Sequence, residues 1–228
     1  MNTRLTLFLF LSVITGISAC KKNDLPVTNL ISKINLINAS PDTVNFYLNG
    51  TRLSKSNLYP AGSSGYFDVV YGEQNYQVKD VFDPKGSTVR PLFSKTLNLD
   101  TSKTYSFFIV DETAENAFLT DDDLQPDTTV NECFVRFVNA SPDAGALDFA
   151  VGDTVKFSNV AFKTASEFKS VGVSSLKPIN LYRAGSATPV ISGHFGLLAG
   201  KSYTFYSKGK LTGTGNSLFG LGATLNFN

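Results

Sequence analysis

Hydrophobic and polar positions along this chain alternate with a period of two. In KINLINASPDTVNFYLNG, Val44, Phe46 and Leu48 alternate with Asn45, Tyr47 and Asn49, and Asn49-Gly50 then supplies a two-residue hairpin turn. Tyr105, Phe107 and Ile109 alternate with Ser106, Phe108 and Val110, so that strand is apolar on both faces for part of its length. Leu147, Phe149 and Val151 alternate in the same way, as do Tyr203 and Phe205. Turn signals such as Asp83-Pro84-Lys85-Gly86 and Ala199-Gly200-Lys201 punctuate the pattern, and no segment sustains a helical period. Roughly seven short strands in about ninety residues predict an immunoglobulin-like antiparallel β-sandwich.

The pattern occurs twice. KINLINASPDTVNFYLNG (Lys33–Gly50) matches FVRFVNASPDAGALDFAVGD (Phe134–Asp153), and KTYSFFIV (Lys103–Val110) matches KSYTFYSK (Lys201–Lys208). Two signals in the same order at a nearly constant offset indicate duplication, and the unit is too long for a solenoid repeat. The expected organisation is a first sandwich over 30–112, a linker over 113–131 and a second sandwich over 132–228, set in series. The linker assignment rests on ETAENAFLTDDDLQPDTTVN (Glu112–Asn131), which is polar, acidic and without alternation apart from Phe118-Leu119. SLFGLGATLNFN closes the second domain.

Ahead of the first unit, Arg4, the apolar run Leu5 to Ile14 and a set of small residues have the three-part layout of a secretory signal over 1–19. The apolar run falls short of the roughly twenty residues that a spanning helix needs. Ile17-Ser18-Ala19-Cys20 resembles the bacterial lipobox. That resemblance implies a diacylglycerol on the Cys20 sulfur and a further acyl chain on its freed amine, enough for stable anchoring. Residues 20–29 then form a polar, proline-punctuated tether. Lys21-Lys22-Asn23-Asp24 loosely resembles the charged stretch that directs some Bacteroidetes lipoproteins to the outer surface.

In each pentapeptide, Pro41 or Pro142 cannot donate to a ladder and pushes Ser40 or Ser141 toward extended geometry, so the strand must stop. Asp42 and Asp143 are expected to accept backbone N–H groups just beyond the turn, with Asn38 and Asn139 doing the same from the other side. The motif reads as a structural strand exit, and the competing reading is a ligand or cation site built from the same residues.

Composition narrows the functions. Setting aside Arg4, the chain from Cys20 onward carries 19 basic and 19 acidic side chains, without the clustered positive charge that nucleic-acid binding requires. With Cys20 acylated, Cys133 is the remaining thiol, which excludes an intrachain disulfide and a cysteine zinc site. His194 is the sole histidine and reads as an ordinary strand residue in VISGHFGLL; no catalytic residue is assigned. Asp121, Asp123, Gln125, Asp127 and Glu132 fall on calcium-loop spacing, but Pro126 stands where that loop requires glycine, so the stretch reads as a solvated acidic linker with no metal. The glycines of GTGNSLFGLG lack the context of a dinucleotide loop, and no cofactor is expected. Asp42-Thr43-Val44, Asp153-Thr154-Val155 and Asp127-Thr128-Thr129 resemble a short Bacteroidetes O-glycosylation pattern. Among 19 Phe and nine Tyr, with no Trp, Tyr59, Tyr66, Tyr71 and Tyr76 crowd one region and are the candidate carbohydrate-binding strip.

The NASPD strands resemble a bacterial domain-of-unknown-function family, number 4397 in that series, over roughly Leu30–Glu112 and Glu132–Asn228. The resemblance implies a secreted or lipid-anchored tandem of immunoglobulin-like domains and brings no activity with it. The first copy departs by being shorter after Asp42 and by carrying Asn45 where the family favours aspartate; the second keeps Asp148. The sequence therefore predicts a non-catalytic interaction or adhesion module, an outer-membrane lipoprotein of Bacteroidetes type facing the periplasm or the surface. Its expected partners are the membrane, through lipid alone, and an envelope protein or glycan. A glycan-binding accessory protein and a structural spacer are the alternatives.

Overall fold

The computed structural model describes residues 30–81, 89–122, 131–153 and 155–226. The signal, Cys20 and the tether lie outside them. The first unit comprises β1 (Ile31–Asn38), β2 (Val44–Leu48), β3 (Thr51–Arg52), β4 (Ser63–Val70), β5 (Gly72–Asp80), β6 (Arg90–Leu99), β7 (Thr104–Ile109) and β8 (Phe118–Asp121). The second comprises β9 (Glu132–Asn139), β10 (Leu147–Val151), β11 (Val155–Val160), β12 (Lys169–Gly172), β13 (Ser174–Arg183), β14 (Pro189–Leu197), β15 (Ser202–Lys208) and β16 (Gly220–Asn226).

Each unit is a sandwich of two four-stranded sheets, and the two units correspond strand for strand. The order β4-β1-β7-β8 is mirrored by β12-β9-β15-β16, and β3-β2-β5-β6 by β11-β10-β13-β14. Neighbours pair antiparallel except β1 with β7 and β9 with β15, which run parallel at the centre of their sheets. The Asn49-Gly50 hairpin forms as the sequence requires, with both residues at positive φ (50° and 79°), the backbone twist that a tight turn between twisted strands demands.

The linker assignment needs correction. Phe118–Asp121, inside the expected 113–131 linker, is β8, an edge strand of the first unit pairing with β7 from Phe108↔Phe118 to Tyr105↔Asp121. It is the counterpart of β16, so the first unit ends with the same strand as the second.

Alternation decides what each strand buries. Ile34 and Leu36 of β1 and Phe107 and Ile109 of β7 fill the first core with Phe46, Tyr76 and Val78. Val135, Phe137, Phe149, Leu181 and Phe205 fill the second. The opposite faces of these central strands are also covered, because the sandwiches stand back to back rather than in series. Ile37, Ala39, Phe108, Val110 and Phe118 meet Val138, Ala140 and Tyr206 in a third apolar cluster. The contacts are reciprocal, as in a two-fold pair: β4 edges against β16, and Phe118 of β8 meets Phe162, just upstream of β12. Burying each of the larger side chains among them, such as Ile37, Phe108, Phe118 and Val138, contributes roughly 1.5–3 kcal/mol.

Candidate functional site

β1 and β9 both end in a NASPD loop, and Asn38 and Asn139 hold those loops in the same way. Nδ2 of Asn38 donates to the carbonyls of Asp42 (2.7 Å) and Leu58 (2.8 Å), while its Oδ1 accepts from the Ser40 amide (3.0 Å) and hydroxyl (2.6 Å). Nδ2 of Asn139 donates to Gly145 (2.8 Å) and Val160 (3.0 Å), and its Oδ1 accepts from the Ser141 amide (3.1 Å) and the Ser207 hydroxyl (2.9 Å). Only an amide side chain donates twice and accepts twice at one position, which explains asparagine here. Both side chains are fully buried, and each ties its strand exit to the opposite sheet.

The aspartates behave differently. Asp143 accepts from the backbone amides of Leu211 (2.9 Å) and Thr212 (3.5 Å). Burial raises its carboxyl, but these N–H groups outweigh that and hold it below its ordinary value. Asp42 does not make the expected bonds: its Oδ2 is buried without a partner. Burial raises the Asp42 carboxyl above its ordinary value, and the charges of Asp80 and Glu112 add to the effect against the opposing pull of Arg90. Arg90 is bound to Asp80 (3.2 Å) and, through both its terminal nitrogens, to Glu112 (3.0 and 2.9 Å). These bonds hold the Glu112 carboxyl below its usual range.

The two loops face each other across a cleft of about 330 Å³. Pro41, Asp42, Val110, Asp111, Glu112 and Thr113 line it from the first unit, and Pro142, Gly209, Lys210 and Ser217 from the second. The wall over 111–117 is braced: Asp111 accepts from Thr113 and Asn116, Lys95 caps the carbonyls of Ala114 and Ala117 (both 2.6 Å), and Lys163 of the second unit caps that of Glu115. The 3₁₀ turn Gly215–Ser217, part of the glycine-rich stretch, closes one side through Asn216 and the Pro41 carbonyl (3.5 Å). The cleft lies at the end of the molecule opposite residue 30, because β1 runs away from that residue for eight residues, ~26 Å of strand.

At the other end of the inter-unit interface, a closed ring of hydrogen bonds replaces apolar packing. The Tyr66 hydroxyl donates to Asp122 (2.6 Å), and Arg136 donates to Asp122 (2.5 Å) and to Thr204 (2.9 Å). Thr204 donates to Asn226 (2.8 Å), and Asn226 donates back to Tyr66 (2.7 Å). Arg136 and Asp122 are almost wholly buried, and the guanidinium lies 4.8 Å from the Phe168 ring centroid. Burial beside Asp122 raises the Tyr66 hydroxyl above its ordinary range. The sequence signal for this ring was Arg136 standing between Val135 and Phe137 in a strand apolar on both sides.

The four tyrosines do not form a strip. Tyr76 is buried in the first core, stacked 4.8 Å from Phe46, with its hydroxyl unpartnered and pushed up to about 12 by burial. Tyr66 belongs to the ring. Tyr59 and Tyr71 are exposed, at 59% and 42%, but stand at opposite ends: Tyr59 beside the β2 entry and Tyr71 beside Leu30. His194 is exposed on β14 opposite Pro178. Cys133 is buried and its thiol is pushed up to about 11, chiefly by burial. Asp148 accepts from the Asn159 (2.7 Å) and Gly185 (3.2 Å) amides, a structural role. Of the calcium-loop positions, Asp121 pairs with Lys103 (3.0 Å) and Glu132 accepts from Ser170, while Asp123, Gln125 and Asp127 lie outside the described residues. Among the described residues no group of three or more His, Cys, Asp or Glu could hold a metal. Thr43 of the first glycosylation-like triplet is buried and unavailable to a glycosyltransferase; Thr154, Thr128 and Thr129 lie outside the described residues.

A family described as "Domain of unknown function (DUF4397)" matches residues 32–150 and again 133–219, so the chain belongs to that family. No curated protein matches the chain. Among solved structures, the chain is similar to CBMbc (family CBM26) from Eubacterium rectale Amy13K, in complex with maltoheptaose, at 10% identity over 84% of this chain and 95% of that one. The TM-score of that likeness is 0.25.

Proposed function

We propose that this member of a family of unknown function is a non-catalytic binding module of the cell envelope, an outer-membrane lipoprotein held by acyl chains on Cys20. Its contact site is the cleft between the two NASPD loops. One observation carries the reading: both copies of the motif, 101 positions apart, deliver their loops to the same cleft, at the end farthest from residue 30. A chain hung from Cys20 presents that end outward. Loops on a rigid scaffold are where contacts are made, and the bracing of 111–117 keeps the wall in place before a partner arrives.

The cleft chemistry selects among partners. Among the described lining residues three carboxylates, Asp42, Asp111 and Glu112, stand against one cation, Lys210; Arg90 behind the wall is taken up by Glu112 and Asp80, and Asp42 keeps an unpartnered oxygen. That balance suits a positively charged group on a partner protein better than a neutral sugar ring. The separation of Tyr59 from Tyr71 also removes the flat aromatic surface that a glycan platform needs.

The soluble fragment Lys21–Asn228 should retain an envelope protein from a cross-linked extract and lose it when Glu112→Gln and Asp42→Asn are combined. Retention unchanged by that pair would move the contact elsewhere, retention of glycans alone would favour the accessory role, and no retention at all would leave a spacer. Cys20→Ala should release the protein from the membrane fraction.

A further inference from the structure

The end of the molecule from which the tether leaves carries its own unpartnered apolar surface. Leu30, Ile31, Val70 and Tyr71 are each between 39% and 52% exposed. They are contiguous: Ile31 lies opposite Val70 in the β1–β4 ladder, and the Tyr71 amide reaches the Leu30 carbonyl (3.5 Å). Leu198 of the second unit is exposed at the same end, in the turn that feeds β15. The two units share this end because both NASPD loops sit at the other one, and because Arg136 and Asn226 meet Asp122 and Tyr66 in this half of the interface.

We propose that this surface seats on the lipid bilayer, at the boundary between headgroups and acyl chains. The inference rests on the lipid-anchor reading and adds to it: the folded body lies against the membrane rather than swinging from it. The occupant follows from position. Residue 30 is ten positions after Cys20, so an extended chain between them reaches at most about 35 Å, and lipid is the apolar phase that a tether of this length holds beside the patch. The side chains suit the boundary, since Ile31 and Val70 are purely apolar while Tyr71 pairs an apolar ring with a hydroxyl, the amphipathic form favoured at membrane–water interfaces. Beside the patch Lys103 is ion-paired with both Asp100 (3.3 Å) and Asp121 (3.0 Å), so these three groups leave one net negative charge and no exposed cluster of like charge.

The test uses the full lipidated chain in phosphatidylethanolamine/phosphatidylglycerol vesicles. A single fluorophore is placed on Asn98→Cys, exposed on β6 opposite Glu73 and next to the patch, or on Asn216→Cys at the cleft. Cys133 is too buried and too weakly acidic to compete for the label. Headgroup nitroxide lipids should quench the Asn98 label several-fold more than the Asn216 label. The double change Val70→Ser and Tyr71→Ser should bring the two to the same level while the protein still floats with the vesicles. Flotation with equal quenching at both positions in the unaltered chain would overturn the seat and leave the anchor standing. Failure to float would overturn the anchor and the seat together.

Discussion

Asn38 and Asn139 make matching bonds in their two loops, whereas Asp42 and Asp143, four residues further on, do not. Asp143 caps the loop after β15 through two backbone amides, while Asp42 stands at the cleft with an oxygen that nothing in the fold satisfies. The same divergence runs through the interface. Where the second unit has Arg136, bound to Asp122 and Thr204, the first has Asn35, whose Nδ2 is buried without a partner. Where Phe108 stacks on Phe118 (4.9 Å), Tyr206 covers Gly222 and donates to the Ala61 carbonyl (2.9 Å). What the copies share holds each strand exit in place; what differs is concentrated where they touch each other or the cleft.

The sharpest way to break the comparison is at the buried pair. Arg136→Ala leaves the Asp122 carboxylate buried without its cation and should lower stability by about 3–5 kcal/mol in urea unfolding. Asn35→Ala, at the matching position, should stay within about 1 kcal/mol because it removes a donor that bonds to nothing and an acceptor with one long contact, from the Ser64 hydroxyl (3.4 Å). Equal losses would mean that the two positions are equivalent after all.

A middle-sized effect is expected at Gly222→Ala. A Cβ there overlaps the Tyr206 ring, which the Ala61 carbonyl and the surrounding apolar cluster hold in place. Overpacking of this kind costs about 1–3 kcal/mol, to be read as a lowered unfolding midpoint. An unshifted midpoint would show that the ring is free to move.

The smallest effect separates the aspartates by the sign of their pH dependence. Asp42 keeps its proton to higher pH when folded, so ionising it removes stability as pH rises from the unfolded value near 3.8 through its raised folded value. Asp143 has the opposite sign: its contribution is complete above 3.8 and fades as pH falls through its lowered folded value. Relative to wild type, Asp42→Asn should therefore gain stability with rising pH and Asp143→Asn should lose it. Parallel pH curves for the two variants would refute the distinction.

Much of the fold was legible because alternation with period two reports a half-buried strand directly, and because Asn49-Gly50 and the proline of NASPD fix where strands turn or stop. Strand β8 is hard to read: four residues, Phe118–Asp121, among acidic neighbours give too short a run, whereas its counterpart in SLFGLGATLNFN runs for seven. The back-to-back packing was legible in principle, since a strand such as Tyr105–Val110 that is apolar on both faces must have both faces covered. The tyrosine strip failed for the complementary reason. Alternation assigns residues to faces, but whether a face meets water or another sheet is decided by chain segments far away in sequence, as Asp122 and Asn226 show for Tyr66.

The apolar outer face of the β1–β7–β8 sheet bears on biogenesis. The first half can be complete once Asp122 has been made, yet Ile37, Phe108 and Phe118 stay bare until the chain reaches Tyr206. At about 5–20 residues per second, that leaves on the order of ten seconds in which a finished half shows an oily flank to its surroundings. Export ahead of folding, which the proposed lipoprotein route would entail, would spare the compartment of synthesis that interval, since both halves would then fold and clasp each other on the far side.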